Sequence, residues 1–168
     1  MRRGVTWVVS AFVVVAAPVQ ASEDHLPALD AHKPQVLSGT YAGEFSPFAE
    51  AAEQDRSIAG KVILETDAHG AKFRLRIKGL KPDLKYVSHV HRLACSDANA
   101  DGHYKFDVTQ ADNIEANEIW FAIASNKKKL TIDHDVPRAL RIDAKSVVIH
   151  RMVGEKMLKV SCADLKAR

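Results

Sequence analysis

The sequence predicts an all-β fold, a β-sandwich or barrel, within one domain of ordinary size. Many short segments with strand character are separated by turn-forming residues, and helix signals are few. The clearest strand covers residues 71–80, where apolar and charged residues alternate, so that one face should be buried and the other wet. Its apolar positions are Phe73, Leu75 and Ile77, and its charged positions are Lys72, Arg74, Arg76 and Lys78.

Residues 1–21 predict a signal peptide. Arg2 and Arg3 form a short basic region, residues 5–17 form an apolar run, and Val19-Gln20-Ala21 places small residues where a signal peptidase cleaves. The apolar run is shorter than a membrane-spanning helix needs. The rest of a twin-arginine motif is missing, which favours the general secretory route. We therefore expect a periplasmic or secreted protein that is free of the membrane after cleavage.

The charge pattern gives no reason to expect a nucleic-acid partner. The whole chain carries a formal net charge of +3. Loss of residues 1–21 removes Arg2 and Arg3 but no acidic residue, which leaves 22 basic and 21 acidic residues. The remaining charges are interspersed along the chain. The one basic run, Lys127-Lys128-Lys129, is interpreted as a solvated hairpin turn.

Residues 22–38 predict a flexible, exposed N-terminal arm, because they contain two prolines and show no clear periodicity. His25 and His32 in this arm either bind a metal as a flexible pair or belong to a solvated tail, and the tail is the favoured interpretation. The folded domain is expected to cover residues 39–168.

The domain itself is predicted to be a succession of short strands and turns. Strands are expected near residues 37–45, 58–65, 71–80, 84–91, 118–125, 130–135, 146–151 and 156–161. Residues 47–56 have a helix-favouring composition and predict a short turn or helix. Residues 92–116 form a long polar segment, and a loop of that length inside a compact domain is usually functional.

His89 and His91 end the strand predicted over residues 84–91. Side chains alternate along a strand, so both imidazoles should project from one face while Val90 points to the other. Two imidazoles directed at one point suit a transition metal. The pair alone is a weak signal, because H-x-H pairs also occur by accident at protein surfaces, and the surface position is then the favoured interpretation.

Two cysteines, Cys95 and Cys162, are the only ones in the chain. In an exported protein an even count favours one intramolecular disulfide over two free thiols. A bridge between residues 67 positions apart would stabilise the fold by about 4 kcal/mol in the chain-entropy treatment. It would also tie the segment after the histidine pair to the last strand.

The order of these residues resembles the copper/zinc superoxide dismutase family over about residues 58–165. The matching features are His89-x-His91, Cys95, Gly102-His103, the late strand Val147-Val148-Ile149-His150, Cys162, and the strand end Ile77-Lys78-Gly79-Leu80. In that family an H-x-H strand supplies two copper ligands, and a later histidine bridges copper and zinc. The resemblance implies a Greek-key β-barrel that holds copper and is closed by the Cys95–Cys162 disulfide.

Carried over residue by residue, the resemblance implies that His89, His91, His103 and His150 are the copper ligands. His103 matches the bridging histidine and is thereby also assigned a catalytic role. Two of these assignments have alternatives. His103 could be a loop residue hydrogen-bonded to a nearby aspartate, and His150 could cap a strand.

A cation near the substrate is also implied by the resemblance. The family places an arginine three residues before its second cysteine, where it guides the anionic substrate. Lys159 stands at that position here, which keeps the charge but not the planar guanidinium fork. Arg92 is a second candidate for the same role.

The chain departs from the family at the zinc site. The family takes two further histidines and an aspartate from the loop after the bridging histidine, but no histidine lies between Tyr104 and Asp133. We therefore expect zinc to be absent, as in the copper-only branch of the family. The far nitrogen of His103 then needs another partner, and the candidates are Asp101, Asp107 and Glu118.

The function implied by the resemblance is that of a superoxide dismutase, which converts superoxide into dioxygen and hydrogen peroxide by cycling copper between Cu(II) and Cu(I). The alternative is a secreted copper-binding or copper-delivery protein with little dismutase activity, which would exchange copper with a donor or acceptor protein. A third interpretation, an adhesion or interaction module, predicts no stoichiometric copper.

Overall fold

The computed structural model describes residues 35–124 and 126–168, and within them the fold is all-β, as predicted. The strands are β1 (Gly39–Pro47), β2 (Ala59–Thr66), β3 (Ala71–Lys78), β4 (Tyr86–His91), β5 (Trp120–Ala122), β6 (Lys129–Val136), β7 (Ser146–Val153), β8 (Lys156–Asp164) and β9 (Lys166–Ala167). Two single-turn 3-10 helices, Glu53–Asp55 and Glu115–Asn117, are the helical elements of the described chain.

The strands form one antiparallel sheet that curls into a nearly closed barrel. Their order is β5-β4-β7-β8-β1-β2-β3-β6, and β9 adds to β1. β1 connects the two parts of the sheet, because most of its residues pair with β2 while Ser46 and Pro47 at its end pair with β8. The connections from β3 to β4 and from β6 to β7 join strands that are not neighbours, as in a Greek-key arrangement.

The two edge strands of the sheet, β5 and β6, meet through aromatic contacts. The ring of Phe121 on β5 lies 5.3 Å from that of His134 on β6 and 5.2 Å from that of Phe73 on β3, measured between centroids. Phe121 is only 1% exposed. This edge-to-face contact joins the first and last strands of the order and brings the barrel close to closure.

The alternation predicted for β3 is confirmed. Phe73, Leu75 and Ile77 lie in the core, and every second residue between them is exposed. The strand ends at Lys78, two residues earlier than the pattern suggested. Gly79 has a φ of +85°, and a Cβ there would lie 1.9 Å from the carbonyl oxygen of Ser57, so only glycine fits this turn.

Three other predicted elements differ in extent. The helix-favouring segment 47–56 is helical only over Glu53–Asp55. The strand predicted over 118–125 is limited to Trp120–Ala122. Ile119 makes a single backbone hydrogen bond to β4, and Glu118 forms an isolated bridge with Lys105 in the preceding loop. Lys129, placed in a turn from sequence, is the first residue of β6.

The end of the predicted arm contacts the barrel. The Leu37 amide donates to the Leu140 carbonyl at 2.7 Å, and Leu37 is 7% exposed. The predicted signal peptide, the rest of the arm, His25 and His32 lie outside the described residues. In the part of the chain that is described, no helix is long and apolar enough to cross a membrane.

Candidate metal centre

Four histidines from three parts of the chain meet outside the barrel wall. Val90 points into the core and is fully buried, so its neighbours His89 and His91 project from the other face of β4, as the alternation predicts. His150 comes from β7, the strand paired with β4. His103 arrives from the long loop. One nitrogen of each ring lies within 4.8 Å of the others, which is close enough for all four to converge on one ion.

The loop reaches the site because it runs back along the end of β4. The Tyr104 amide donates to the Val90 carbonyl at 2.8 Å, and the Arg92 amide donates to the Gly102 carbonyl at 3.1 Å. His103 between them forms a bridge to His91. The side chain of Tyr104 is completely buried. These contacts fix His103 over the β4 face that carries the histidine pair.

His89 has the clearest signature of a ligand. Its side chain has no exposed surface, and neither ring nitrogen has a hydrogen-bond partner in the described part of the chain. Leaving a buried polar nitrogen without a partner costs about 1–3 kcal/mol. A metal ion would supply a partner for one of the two nitrogens. The indole of Trp120 packs edge-on against the ring at 3.9 Å between centroids and limits its movement.

His91 and His150 present their Nε2 atoms to each other at 3.1 Å. The Nδ1 of His91 lies 2.6 Å from the carbonyl oxygen of Ala100, so that nitrogen carries the proton and donates it. The tautomer assigned from this partner leaves a lone pair on Nε2. Ala98, Asn99 and Ala100 all have positive φ values, between 47° and 55°. This left-handed turn is what directs the Ala100 carbonyl at the ring.

Glu118 is the partner of His103. Its Oε2 lies 2.8 Å from His103 Nδ1, and its Oε1 accepts a 2.6 Å hydrogen bond from the Asn113 amide. The carboxylate is fully buried. Of the other two candidates, Asp107 is occupied by Thr109 and Gln110, and Asp101 faces Lys159. Glu118 therefore leaves Nε2 as the unoccupied nitrogen of His103.

Burial keeps three of the imidazoles neutral. Burial, together with a smaller effect of the neighbouring histidines, lowers the pKa of His89 and of His91 to about 3 and that of His150 to about 2. At neutral pH each of these three rings therefore has one nitrogen without a proton. A neutral imidazole is the form that binds transition metals.

Lys159 lies at the edge of the cluster. It is the register partner of His150, at a position where the pairing of β7 with β8 shifts by one residue. Its Nζ donates to the Asn99 carbonyl at 2.9 Å and lies 3.7 Å from Asp101 Oδ1. Its positive charge helps to lower the pKa of His91 and of His150. Lys159 therefore lies beside the histidine cluster, and its role in guiding an anion stays a prediction.

Arg92 packs along the same loop. A Cβ at Gly102 would lie 2.7 Å from the Arg92 Nε, so the absence of a side chain at residue 102 makes room for the guanidinium. Its charge helps to lower the pKa of Asp112. Arg92 thus follows the loop that carries His103.

The predicted disulfide is confirmed. Cys95 in the loop is bonded to Cys162 on β8, with 5.8 Å between their Cα atoms. Two hydrogen bonds support the same attachment. The Cys95 amide donates to Asp164 at 2.7 Å, and the Ser146 hydroxyl donates to the Leu93 carbonyl at 2.8 Å. The start of the loop is therefore fixed to β7 and β8 beside the metal site.

Two contributors to the site were not identified from the sequence. Trp120 stands in a predicted strand, but only the pairing of β5 with β4 places it opposite His89. The Ala100 carbonyl belongs to the backbone and has no sequence signal. Glu118 was one of three candidate partners, and the choice among them depended on the loop conformation.

Comparisons of this chain with protein-family models, with curated proteins and with solved structures find no match. Fold and site together define the class: a disulfide-bonded β-barrel protein with a buried four-histidine group that can hold a metal ion.

Proposed function

We propose that the protein is an exported, copper-dependent superoxide dismutase that works without zinc. The observation that carries this proposal is the hydrogen bond between His103 and Glu118. In the family that the sequence resembles, the same histidine bridges copper and zinc. Here its far nitrogen is held by a buried carboxylate at 2.8 Å, so the ring is oriented without a second metal.

The donor set supports copper as the ion. Four neutral imidazoles, with no thiolate or carboxylate among them, form a nitrogen-only site of the type that Cu(II) and Cu(I) share. The described chain contains one other group of potential metal ligands. It includes Cys95 and Cys162, whose sulfurs are bonded to each other and are therefore not free to bind a metal. The disulfide also suits an oxidising compartment outside the cytosol.

His89, His91, His103 and His150 would hold the copper, which would supply the one-electron redox chemistry by which two superoxide anions and two protons give dioxygen and hydrogen peroxide. The residues around the site would orient its ligands and neutralise charge. Glu118 accepts a hydrogen bond from the Nδ1–H of His103 and fixes the orientation of that ring. Lys159 attracts the anion toward the site, an effect that added salt weakens.

One observation favours the second candidate, a copper-binding or copper-delivery protein. Lys159 is held by the Asn99 carbonyl and lies near Asp101, so part of its charge is neutralised. It also lacks the fork with which arginine binds an anion. Weak guidance of superoxide would leave a protein that holds copper tightly and turns over slowly.

The test uses the form that begins at Ser22, in which Trp120 is the only tryptophan. Copper(II) in contact with His89 is expected to quench the Trp120 fluorescence, with saturation at about one copper per chain. His150→Ala should abolish tight binding, whereas His134→Ala, a histidine outside the cluster, should retain it. Superoxide decay is then followed by pulse radiolysis on the copper-loaded protein.

The outcomes separate the candidates. Stoichiometric copper with fast decay of superoxide supports the dismutase. Tight copper without turnover supports storage or delivery. No stoichiometric copper would leave the interaction module, and unchanged copper affinity in His150→Ala would refute the four-ligand assignment.

A further inference from the structure

Four exposed cations gather on the outer face of the barrel, at one end of three neighbouring strands. They are Lys61 on β2, Arg76 and Lys78 on β3, and Lys129 on β6, and together they are called the basic patch. Their side chains share one face, because Lys61 is directly opposite Arg76 and Lys78 is directly opposite Lys129. Charges that are interspersed in the sequence are thus collected by strand pairing.

The same face is differently composed at its other end. Lys72 on β3 lies between two acidic register partners, Glu65 on β2 and Asp135 on β6. Arg74 forms a 2.6 Å ion pair with Asp133 on β6. In that half of the face, each cation on β3 therefore has an acidic neighbour across the sheet.

The basic patch has less of this matching. Glu44 on β1, opposite Lys61, is its one acidic register partner, and the other three cations have none. Among the described residues, none of the four cations forms an ion pair, and Glu44 is the only acidic residue in the surface groove that the patch lines. Like charges placed directly opposite each other destabilise a sheet. Stability therefore does not account for the two like-charged pairs, and an anionic ligand would.

We propose that the basic patch binds an anionic polysaccharide. Cross-strand neighbours are about 5 Å apart and alternate residues along a strand about 7 Å apart, so the four cations form a diagonal track about 12 Å long. An extended chain that carries an anionic group on most sugars can follow such a track. Arg76 near its middle can bind one sulfate or carboxylate with two hydrogen bonds.

The residues around the basic patch argue against two other polyanionic partners, an anionic membrane and a nucleic acid. The exposed large apolar side chains of the described residues lie elsewhere, so the patch has nothing to insert into a bilayer. Phe45 and Ile77, which line the groove, are 4% and 3% exposed. No aromatic ring of the described chain is therefore offered there for stacking on a nucleobase. Recognition by charge alone suits a polysaccharide.

The experiment measures binding of fluorescently labelled dextran sulfate by anisotropy, with uncharged dextran as the carbohydrate control. The double variant Arg76→Gln/Lys78→Gln removes two charges from the patch. Its matched control, Lys72→Gln/Arg74→Gln, removes two charges from the same face of the same strand outside the patch. We expect at least a tenfold loss of affinity for the first and less than a threefold loss for the second. Binding to the unmodified protein should weaken roughly fiftyfold when salt is raised fourfold.

Unfolding in urea gives a second readout. The patch variant relieves two like-charged pairs and should unfold at an equal or higher denaturant concentration, whereas the control variant loses an ion pair and should unfold at a lower one. The proposal is overturned if both variants lose affinity equally, if dextran sulfate does not bind, or if anionic phospholipid vesicles or duplex DNA bind more tightly. None of these results depends on copper, so the proposal stands apart from the proposed function.

Discussion

His103 is held by a single side chain, Glu118, and that contact can be tested by graded substitution. Glu118→Gln keeps an oxygen that accepts the Nδ1 proton but removes the charge, while Glu118→Leu removes both. We expect Glu118→Leu to weaken copper binding by about 10–100-fold and Glu118→Gln to weaken it less. Competition with a chelator measures the affinities. Glu115→Gln, an exposed neighbour, is the control, and unchanged affinity in Glu118→Leu would contradict the assignment.

The neutral histidines make the copper-free protein sensitive to acid. His89, His91 and His150 have folded-state pKa values of about 3, 3 and 2, below the ordinary value of 6.5. Between pH 6.5 and about 3 the unfolded chain therefore binds protons that the folded chain does not. Stability that is fully present above pH 6.5 is lost as the pH falls, by about 1.4 kcal/mol per pH unit for each imidazole.

Urea unfolding of the copper-free protein at pH 7.5, 6 and 5 checks this slope. His150→Gln should reduce the slope by the contribution of one imidazole, about a third of the total for the three rings. A free energy of unfolding that is the same at all three pH values would show that folding does not lower the pKa of these histidines.

At the scale of elements, the disulfide fixes the loop that completes the metal site. Cys95→Ser is expected to lower the free energy of unfolding by about 4 kcal/mol. It should also weaken copper binding, because the loop between Cys95 and His103 carries the Ala100 carbonyl that orients His91. Chemical unfolding and copper titration, each with and without reductant, measure both effects. If reductant changes stability equally in Cys95→Ser and in the unmodified protein, the bridge is not its target.

Most strands could be predicted because their signals are local. The alternation in β3 follows from one buried and one wet face, and the spacing of His89 and His91 follows from the strand period. The limits of β5 could not be predicted in this way. Ile119 and Glu118 have strand character. In the fold, however, Ile119 makes a single backbone hydrogen bond to β4 and Glu118 pairs with the loop. Only the folded arrangement determines these partners.

The site was predictable where it depends on side-chain type and order. The four histidines and two cysteines were identified from sequence, and the structure brings each set together. The Trp120 contact and the Ala100 hydrogen bond depend on neighbours that are distant in sequence or on backbone conformation. The basic patch was not predicted from the sequence for the same reason, since its four cations come from three strands.

At the scale of the whole molecule, Phe121 links the two edges of the barrel. Phe121→Ala is expected to lower the free energy of unfolding by about 3–5 kcal/mol, because it removes a buried ring that contacts Phe73 and His134. Phe121→Leu keeps most of the apolar volume and should lose less. Thermal or urea unfolding measures both. A Phe121→Ala variant as stable as the unmodified protein would mean that the ring is not needed to fill the gap between β5 and β6.

The order of strands around the barrel separates two surfaces. β4 and β7, which carry His89, His91 and His150 on their outer side, lie half a turn of the barrel away from β2 and β3, which carry most of the basic patch. A molecule tethered to a polymer through the patch would keep the strands that carry these histidines turned toward the surrounding fluid. Retention at a surface through the patch would therefore be compatible with the function proposed for the histidine cluster, because the two lie on opposite sides of the barrel.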